Sequence, residues 1–183
     1  MVIFGKNIDF RRVVVSDAEF ILSLRVDPLL SKNLSVVENN LEKQRGWIFE
    51  NEKNSSEWYF IIQNKNSQPV GTVRIYDVKG DSFCWGSWIV KPEARIYASF
   101  ESAVLLYNYA FFTLGFEQSH FDVRRENKSV VNFHLKMGAK IVKEDELNFY
   151  FVFKKESYQK KMEEHFKLVN RIFLRKKSCE DLV

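Results

Sequence analysis

The sequence predicts one α/β (α+β) domain of three layers: a central mixed, mostly antiparallel sheet flanked by helices, with an extra amphipathic helix at the C-terminal end. Three observations carry this. Strand-like runs between Glu57 and Val90 are joined by short polar turns, the mark of an antiparallel meander. From Gly86 to Ala139 the chain reads strand, Pro-Glu turn, long apolar helix, second strand, Asn, short helix, Gly, which is a crossover unit. Beyond Phe153, the residues Tyr158, Met162, Phe166, Val169 and Phe173 recur at helical spacing between Lys, Glu and Arg.

The elements follow in order. Ile8–Val15 (IDFRRVVV) reads as a strand. Ser16-Asp17 offers a helix cap with Glu19 in the first turn, and Asp27-Pro28 stops that helix, because proline cannot continue it. A second helix is expected from about Val37 to Glu50, with Leu41, Trp47 and Ile48 on its apolar face. Glu57–Gln63 is a strand, Asn64–Gln68 a polar turn and Pro69–Val78 the next strand. Lys79-Gly80-Asp81 makes a hairpin turn into the strand Ser82–Val90. A helix beginning near Ser99, one strand, a short helix and one last strand complete the domain.

Composition bounds the function. The 183 residues fit one domain; 45% are apolar and 28% charged, as in ordinary globular proteins. The 17 Phe imply a bulky aromatic core. A net charge of +4 suits anionic small ligands, and no nucleic-acid-binding motif is visible. The two cysteines, Cys84 and Cys179, match no metal spacing, and Cys84 sits in an apolar strand pattern as a buried thiol. Met1–Phe10 lacks the long apolar run of a signal peptide, and no apolar stretch of about 18 residues exists to span a membrane. A reducing cytoplasm is the expected compartment.

The crossover unit resembles the GCN5-related N-acetyltransferase (GNAT) superfamily, over roughly Phe10 to Phe153. Trp88-Ile89-Val90-Lys91-Pro92-Glu93 is similar to the family's fourth strand and the turn after it. Arg95–Phe100 stands in its phosphate-loop slot. Tyr107–Phe111 followed by Leu114-Gly115-Phe116 is similar to the end of its pyrophosphate helix. Asn127, His134 and Gly138-Ala139 fit its Asn…Tyr…Gly-Phe pattern. LRVDPLLSKNL and QRGWI resemble the branch that acetylates ribosomal-protein N-termini and nucleotide-linked amino sugars. The resemblance implies a GNAT-like domain over residues 1–155, with residues 156–183 as a helical extension packed on it or at a homodimer interface.

It also implies acetyl-CoA as co-substrate, with no metal. The pantetheine arm would pair like an added strand with the backbone of Trp88, Ile89 and Val90. The pyrophosphate would sit on the N–H groups of the turn Ile96, Tyr97, Ala98, Ser99, Phe100 at a helix start, with Arg95 and Asn127 alongside. The loop departs from the family: Ala98 and Phe100 stand where glycine or alanine is usual, and glycine serves there because backbone must approach phosphate closely.

Acetyl transfer needs a neutral amine, a polarised thioester carbonyl and a proton for the leaving thiolate. The N–H of Ile89 or Val90 is the candidate carbonyl partner. His134 stands where the family often has a proton-donating Tyr; an imidazole with a reference pKa of roughly 6.5 holds a protonated fraction at neutral pH. The family's Glu two residues before the strand glycine is replaced by Cys84, so the base candidates are Asp122 and His120, which alternate onto one strand face. Arg25, Asn33, Gln44 and Trp47 are candidate acceptor contacts, Arg25 for a phosphate and Trp47 or Trp88 for stacking on a sugar or base. The expected acceptor is a nucleotide-linked amino-deoxy sugar. The alternatives are a protein N-terminus and a non-catalytic acyl-CoA-binding module.

Overall fold

The fold is that of a computed structural model, which describes residues 2–165. Eight strands form one sheet: β1 (Val2–Phe4), β2 (Ile8–Arg12), β3 (Trp58–Asn64), β4 (Pro69–Lys79), β5 (Ser82–Val90), β6 (Gln118–Arg124), β7 (Lys140–Glu144) and β8 (Asn148–Lys154). Their order across the sheet is β1-β2-β3-β4-β5-β6-β8-β7. All neighbours are antiparallel except β5 and β6. The helices are α1 (Ala18–Val26), α2 (Leu41–Glu52), α3 (Arg95–Asn108), α4 (Lys128–Met137) and α5 (residues 155–165 of those described).

Period-two alternation divides the sheet into two faces. Phe60, Val73, Ile75, Phe83, Trp85 and Phe121 face α3 and α4 and form the larger core. Tyr59 and Ile61 face α1 and α2, which bring Ala18, Ile21 and Ile48 to a smaller core. Asp17 ties the second layer to the sheet. Its carboxylate takes a forked pair of bonds from Arg11, each 2.7 Å, and accepts the Val14 N–H at 2.9 Å. On the opposite face Glu101 of α3 accepts the Lys6 and Asn7 N–H groups of the β1–β2 turn.

Three features differ from the sequence expectation, each for a physical reason. First, α3 begins at Arg95, after a 3-10 turn Pro92–Ala94, and not near Ser99. With no glycine in Ile96–Phe100, every residue there is helix-compatible, and proline at the first turn position is preset for it. Second, a single last strand was expected, and a hairpin is found. Every residue of β7 is exposed, so no apolar alternation marks it. Third, β1 adds an edge strand before Ile8. In α5 Tyr158 is fully buried against Tyr107, Phe111 and Phe153, so this helix packs on its own domain. The expected Phe166, Val169 and Phe173 stripe and Cys179 lie outside the described residues. No described helix is long and apolar enough to cross a membrane.

The feature that creates a site is the parting of β5 and β6. They pair only at Ser82↔Gln118 and Phe83↔Ser119. Beyond Phe83 an aromatic wedge fills the gap on the α3/α4 side. Trp85 packs on Trp88, Phe121 and His134, and Trp88 packs on Phe133. Two hydrogen bonds fix the wedge: Trp85 Nε1 donates to Tyr107 Oη at 2.9 Å, and Trp88 Nε1 to Ser102 Oγ at 3.0 Å. Tyr107→Phe leaves the buried indole N–H without an acceptor. We expect a loss of about 1–3 kcal/mol, read from urea unfolding.

Candidate active site

The candidate donor edge belongs to β5. Beyond Phe83 its backbone has β4 on one side and, among the described residues, no strand on the other. The Lys91 N–H donates to Val70 O at 2.8 Å, toward β4. Alternation along an antiparallel ladder then turns the Val90 N–H to the open edge. Of the two candidate carbonyl partners, Val90 is therefore the one facing the gap. The register shifts between Thr72 and Arg74, and Ser87 lies in this bulge with φ +48°, a left-handed conformation that serine rarely adopts. The Thr72 hydroxyl donates to Ser87 O at 2.8 Å and holds it there.

The start of α3 lies just beyond this edge. Arg95 is exposed, with its Nε 3.4 Å from Val90 O. Ile96 and Tyr97 occupy the first turn. Ala98 is fully buried and faces the core, so its methyl group does not enter the donor side. Phe100 stands on the surface with its ring 5.9 Å from that of His165. The expected phosphate turn Ile96–Phe100 is thus wound into helix, and the N–H groups of Ser99 and Phe100 run along the helix axis in its ladder. Any anion here meets the helix start and Arg95. Asn127 is the N-terminal cap of α4; its carbonyl oxygen accepts from Val130 and Val131, and its Oδ1 from Ser129 Oγ.

On the α1/α2 face lies a cleft of about 350 Å³. Arg25, Gln44 and Trp47 line it as expected from the helices. Tyr59, Arg74, Tyr76 and Ser87 line it from the sheet and were not foreseen. They follow from alternation along the strand from Pro69, which puts Thr72, Arg74 and Tyr76 on one face. Asn33 sits in the α1–α2 connection and does not line the cleft. The Trp88 indole is on the opposite face, in the wedge, and so does not stack on an acceptor in the cleft.

The cleft is cationic. Arg74 lies between two rings, its guanidinium carbon 4.6 Å from the centre of Trp47 and 4.9 Å from that of Tyr76. Glu57 pairs with it, and Asn51 donates to the same carboxylate oxygen. Arg25 donates to Ser35 O at 2.8 Å, to Ser35 Oγ at 3.0 Å and to Ser87 Oγ at 3.3 Å. Its Nε is buried and bonds nothing among the described residues, and burial lowers its pKa. Among the described residues the lining holds two guanidiniums and no carboxylate.

His134 does not meet the expectation of a protonated imidazole. It is 3% exposed, enclosed by Trp85, Phe121, Phe133 and Phe151, and its Nδ1 is unpartnered among the described residues. Burial among rings pushes its pKa down to about 3. His120 and Asp122 share a face as expected, but His120 is not paired with Asp122. Its Nδ1 is 2.6 Å from Ser82 Oγ and its Nε2 3.2 Å from Asp77 Oδ2. Asp122 is exposed on the cleft side of the sheet, near enough to Tyr76 and Cys84 to raise both.

The splayed parallel pair leaves a free strand edge with a helix start at its mouth, and a separate cleft lies across the sheet. The sequence profile of the acetyltransferase (GNAT) domain matches residues 7–140. The chain belongs to this family, and it is an acetyltransferase of a fold that uses acetyl-CoA. Among solved structures it is similar to apo FdhC, a nucleotide-linked sugar GNAT, at 42% identity and TM-score 0.81, over 90% of this chain and 96% of that one. It shares the fold of a GNAT-family acetyltransferase from Bacillus anthracis at 16% identity and TM-score 0.71, over 85% of this chain and 99% of that one. It likewise shares the fold of the spermidine N-acetyltransferase from Vibrio cholerae in complex with CoA and spermine, at 14% identity and TM-score 0.75, over 85% and 99%. No curated protein matches the sequence.

The folded His134 refuses a proton that the unfolded chain accepts near pH 6.5. Stability is therefore expected to fall as pH drops from about 6.5 toward 3, by up to about 1.4 kcal/mol per unit from this group. Urea unfolding at pH 7 and pH 5 should show a smaller difference for His134→Phe than for the parent chain.

Proposed function

We propose that the chain transfers the acetyl group of acetyl-CoA directly to the amine of a nucleotide-linked amino-deoxy sugar. Such a product belongs to bacterial surface polysaccharide assembly, of the O-antigen kind, in the cytoplasm. The observation that carries this reading is the acceptor cleft with two guanidiniums and no carboxylate among its described lining residues. A polyamine or a basic peptide needs acids there; a diphosphate needs cations in fork geometry. The half-exposed Trp47 supplies an aromatic wall. The likeness to a nucleotide-linked sugar GNAT at 42% identity supports the same choice.

The residues divide the work as follows. Arg25, the cation without a carboxylate partner, binds the acceptor's phosphates; Gln44, Trp47 and Arg74, which is paired with Glu57, border the same space. The open backbone edge of β5 holds the donor, with the Val90 N–H toward the thioester carbonyl. Arg95 and the start of α3 face the donor's phosphates. Asp122 is the carboxylate to take a proton from the acceptor's ammonium group, and His120 is a structural neighbour held by Ser82 and Asp77.

The test is acetylation followed by mass spectrometry on a panel of nucleotide-linked amino sugars, spermidine and peptides with free N-termini. Turnover confined to the first class supports the reading; turnover confined to either of the others removes it. Arg25→Met is expected to raise the acceptor KM about 10- to 100-fold, the equivalent of a charge-assisted hydrogen bond lost. The acetyl-CoA KM should change far less, because Arg25 touches β5 only through the Ser87 hydroxyl.

A further inference from the structure

His134 is buried and neutral, so it offers the leaving thiolate no imidazolium proton. Across the sheet, the geometry points to Tyr76 as the group that exchanges protons with the reacting atoms. The inference rests on the family's acetyl-transfer activity and not on the identity of the sugar.

Four observations converge on Tyr76. It lines the acceptor cleft together with Ser87 of the β5 bulge. Its hydroxyl crosses from β4 to stand over β5 at Gly86: a Cβ built on Gly86 would lie 3.0 Å from Tyr76 Oη. Glycine at this strand position therefore makes the room the hydroxyl occupies. Gly86 lies beyond Phe83, on the stretch whose other edge is open to the donor. The ring itself is fixed, because the Arg74 guanidinium lies 4.9 Å from its centre, so the hydroxyl is preorganised.

The surroundings suit a donor. The charged and titratable groups facing Tyr76 are Cys84, which shares a hydrogen bond with its hydroxyl, Asp122, Arg74 and, from α1, Arg25. Burial and the nearby Cys84 and Asp122 push the phenol up, so it is protonated at neutral pH. In the step, the amine nitrogen forms its bond to the acyl carbon and the carbon–sulfur bond breaks. Tyr76 Oη gives its proton to the departing sulfur. The nitrogen, which carries one proton too many, returns one to the same oxygen. Tyrosine ends as it began, and the products are amide and thiol.

Two measurements test this. The first needs no acceptor: CoA is bound to the enzyme, and its thiol is titrated by thiolate absorbance. Tyr76 Oη close to the sulfur stabilises the thiolate, so Tyr76→Phe should raise the midpoint by about one pH unit, about tenfold in the proton equilibrium. Equal midpoints would overturn the proposal, as would CoA failing to bind the parent enzyme. A parent enzyme that binds CoA but turns over no nucleotide-linked amino sugar sinks the sugar reading and leaves this test standing.

The second measurement is a mutant cycle on turnover with the best acceptor. Tyr76→Phe should lower kcat by about 100-fold or more with little change in the acetyl-CoA KM. Gly86→Ala, which crowds the hydroxyl, should slow the parent enzyme and add nothing in the Tyr76→Phe background. Additive effects of the two substitutions would show that the hydroxyl is not the affected group and would overturn the assignment.

Discussion

The parting of β5 and β6 is the constraint on which the rest depends. Two neighbouring parallel strands would ordinarily continue their ladder, since unpaired backbone groups are costly when buried. Here the ladder stops after two residue pairs, and aromatic side chains pack over the α3/α4 side of the gap. Trp85, Trp88, Phe121, Phe133 and His134 pack on one another, and the Trp85–Tyr107 and Trp88–Ser102 hydrogen bonds anchor the wedge to α3. The His134 imidazole belongs to that packing, which explains both its unpartnered nitrogen and its low pKa.

The two faces of the sheet then carry different chemistry. The α3/α4 face supplies rigidity, the wedge and the helix start beside the donor edge. The α1/α2 face carries the cleft with its two guanidiniums. Arg74 is immobilised by Trp47, Tyr76 and Glu57, whereas Arg25 is held by hydroxyls and a carbonyl alone. One cation is thereby neutralised and the other is not. Ser87 joins the two faces, because it lines the cleft and bulges β5.

Much of this was legible in the sequence. The meander, the crossover and the boundaries of β5 followed from alternation and turn residues, and Ile48 and Cys84 are buried as their patterns implied. The family resemblance rested on residues that the fold places around one strand edge. What escaped was what depends on tertiary packing. Ile96–Phe100 reads as a loop only by analogy with glycine-rich relatives; without glycine it is helix. His134 occupies a tyrosine's position in the pattern, but only the surrounding rings reveal that it is dry. Arg74 and Tyr76 sat in plain view on a strand whose polar face was not read as a cleft wall. In β7 the two apolar residues, Ile141 and Val142, are adjacent and both exposed, so no alternation marks the strand.

The open edge of β5 as the donor seat is the claim on which the account rests, and amide hydrogen exchange tests it directly. Backbone N–H groups from Gly86 to Val90 should exchange more slowly when acetyl-CoA is present, with the exposed edge strand β7 unaffected. Unchanged exchange across Gly86–Val90 under saturating acetyl-CoA would contradict the account.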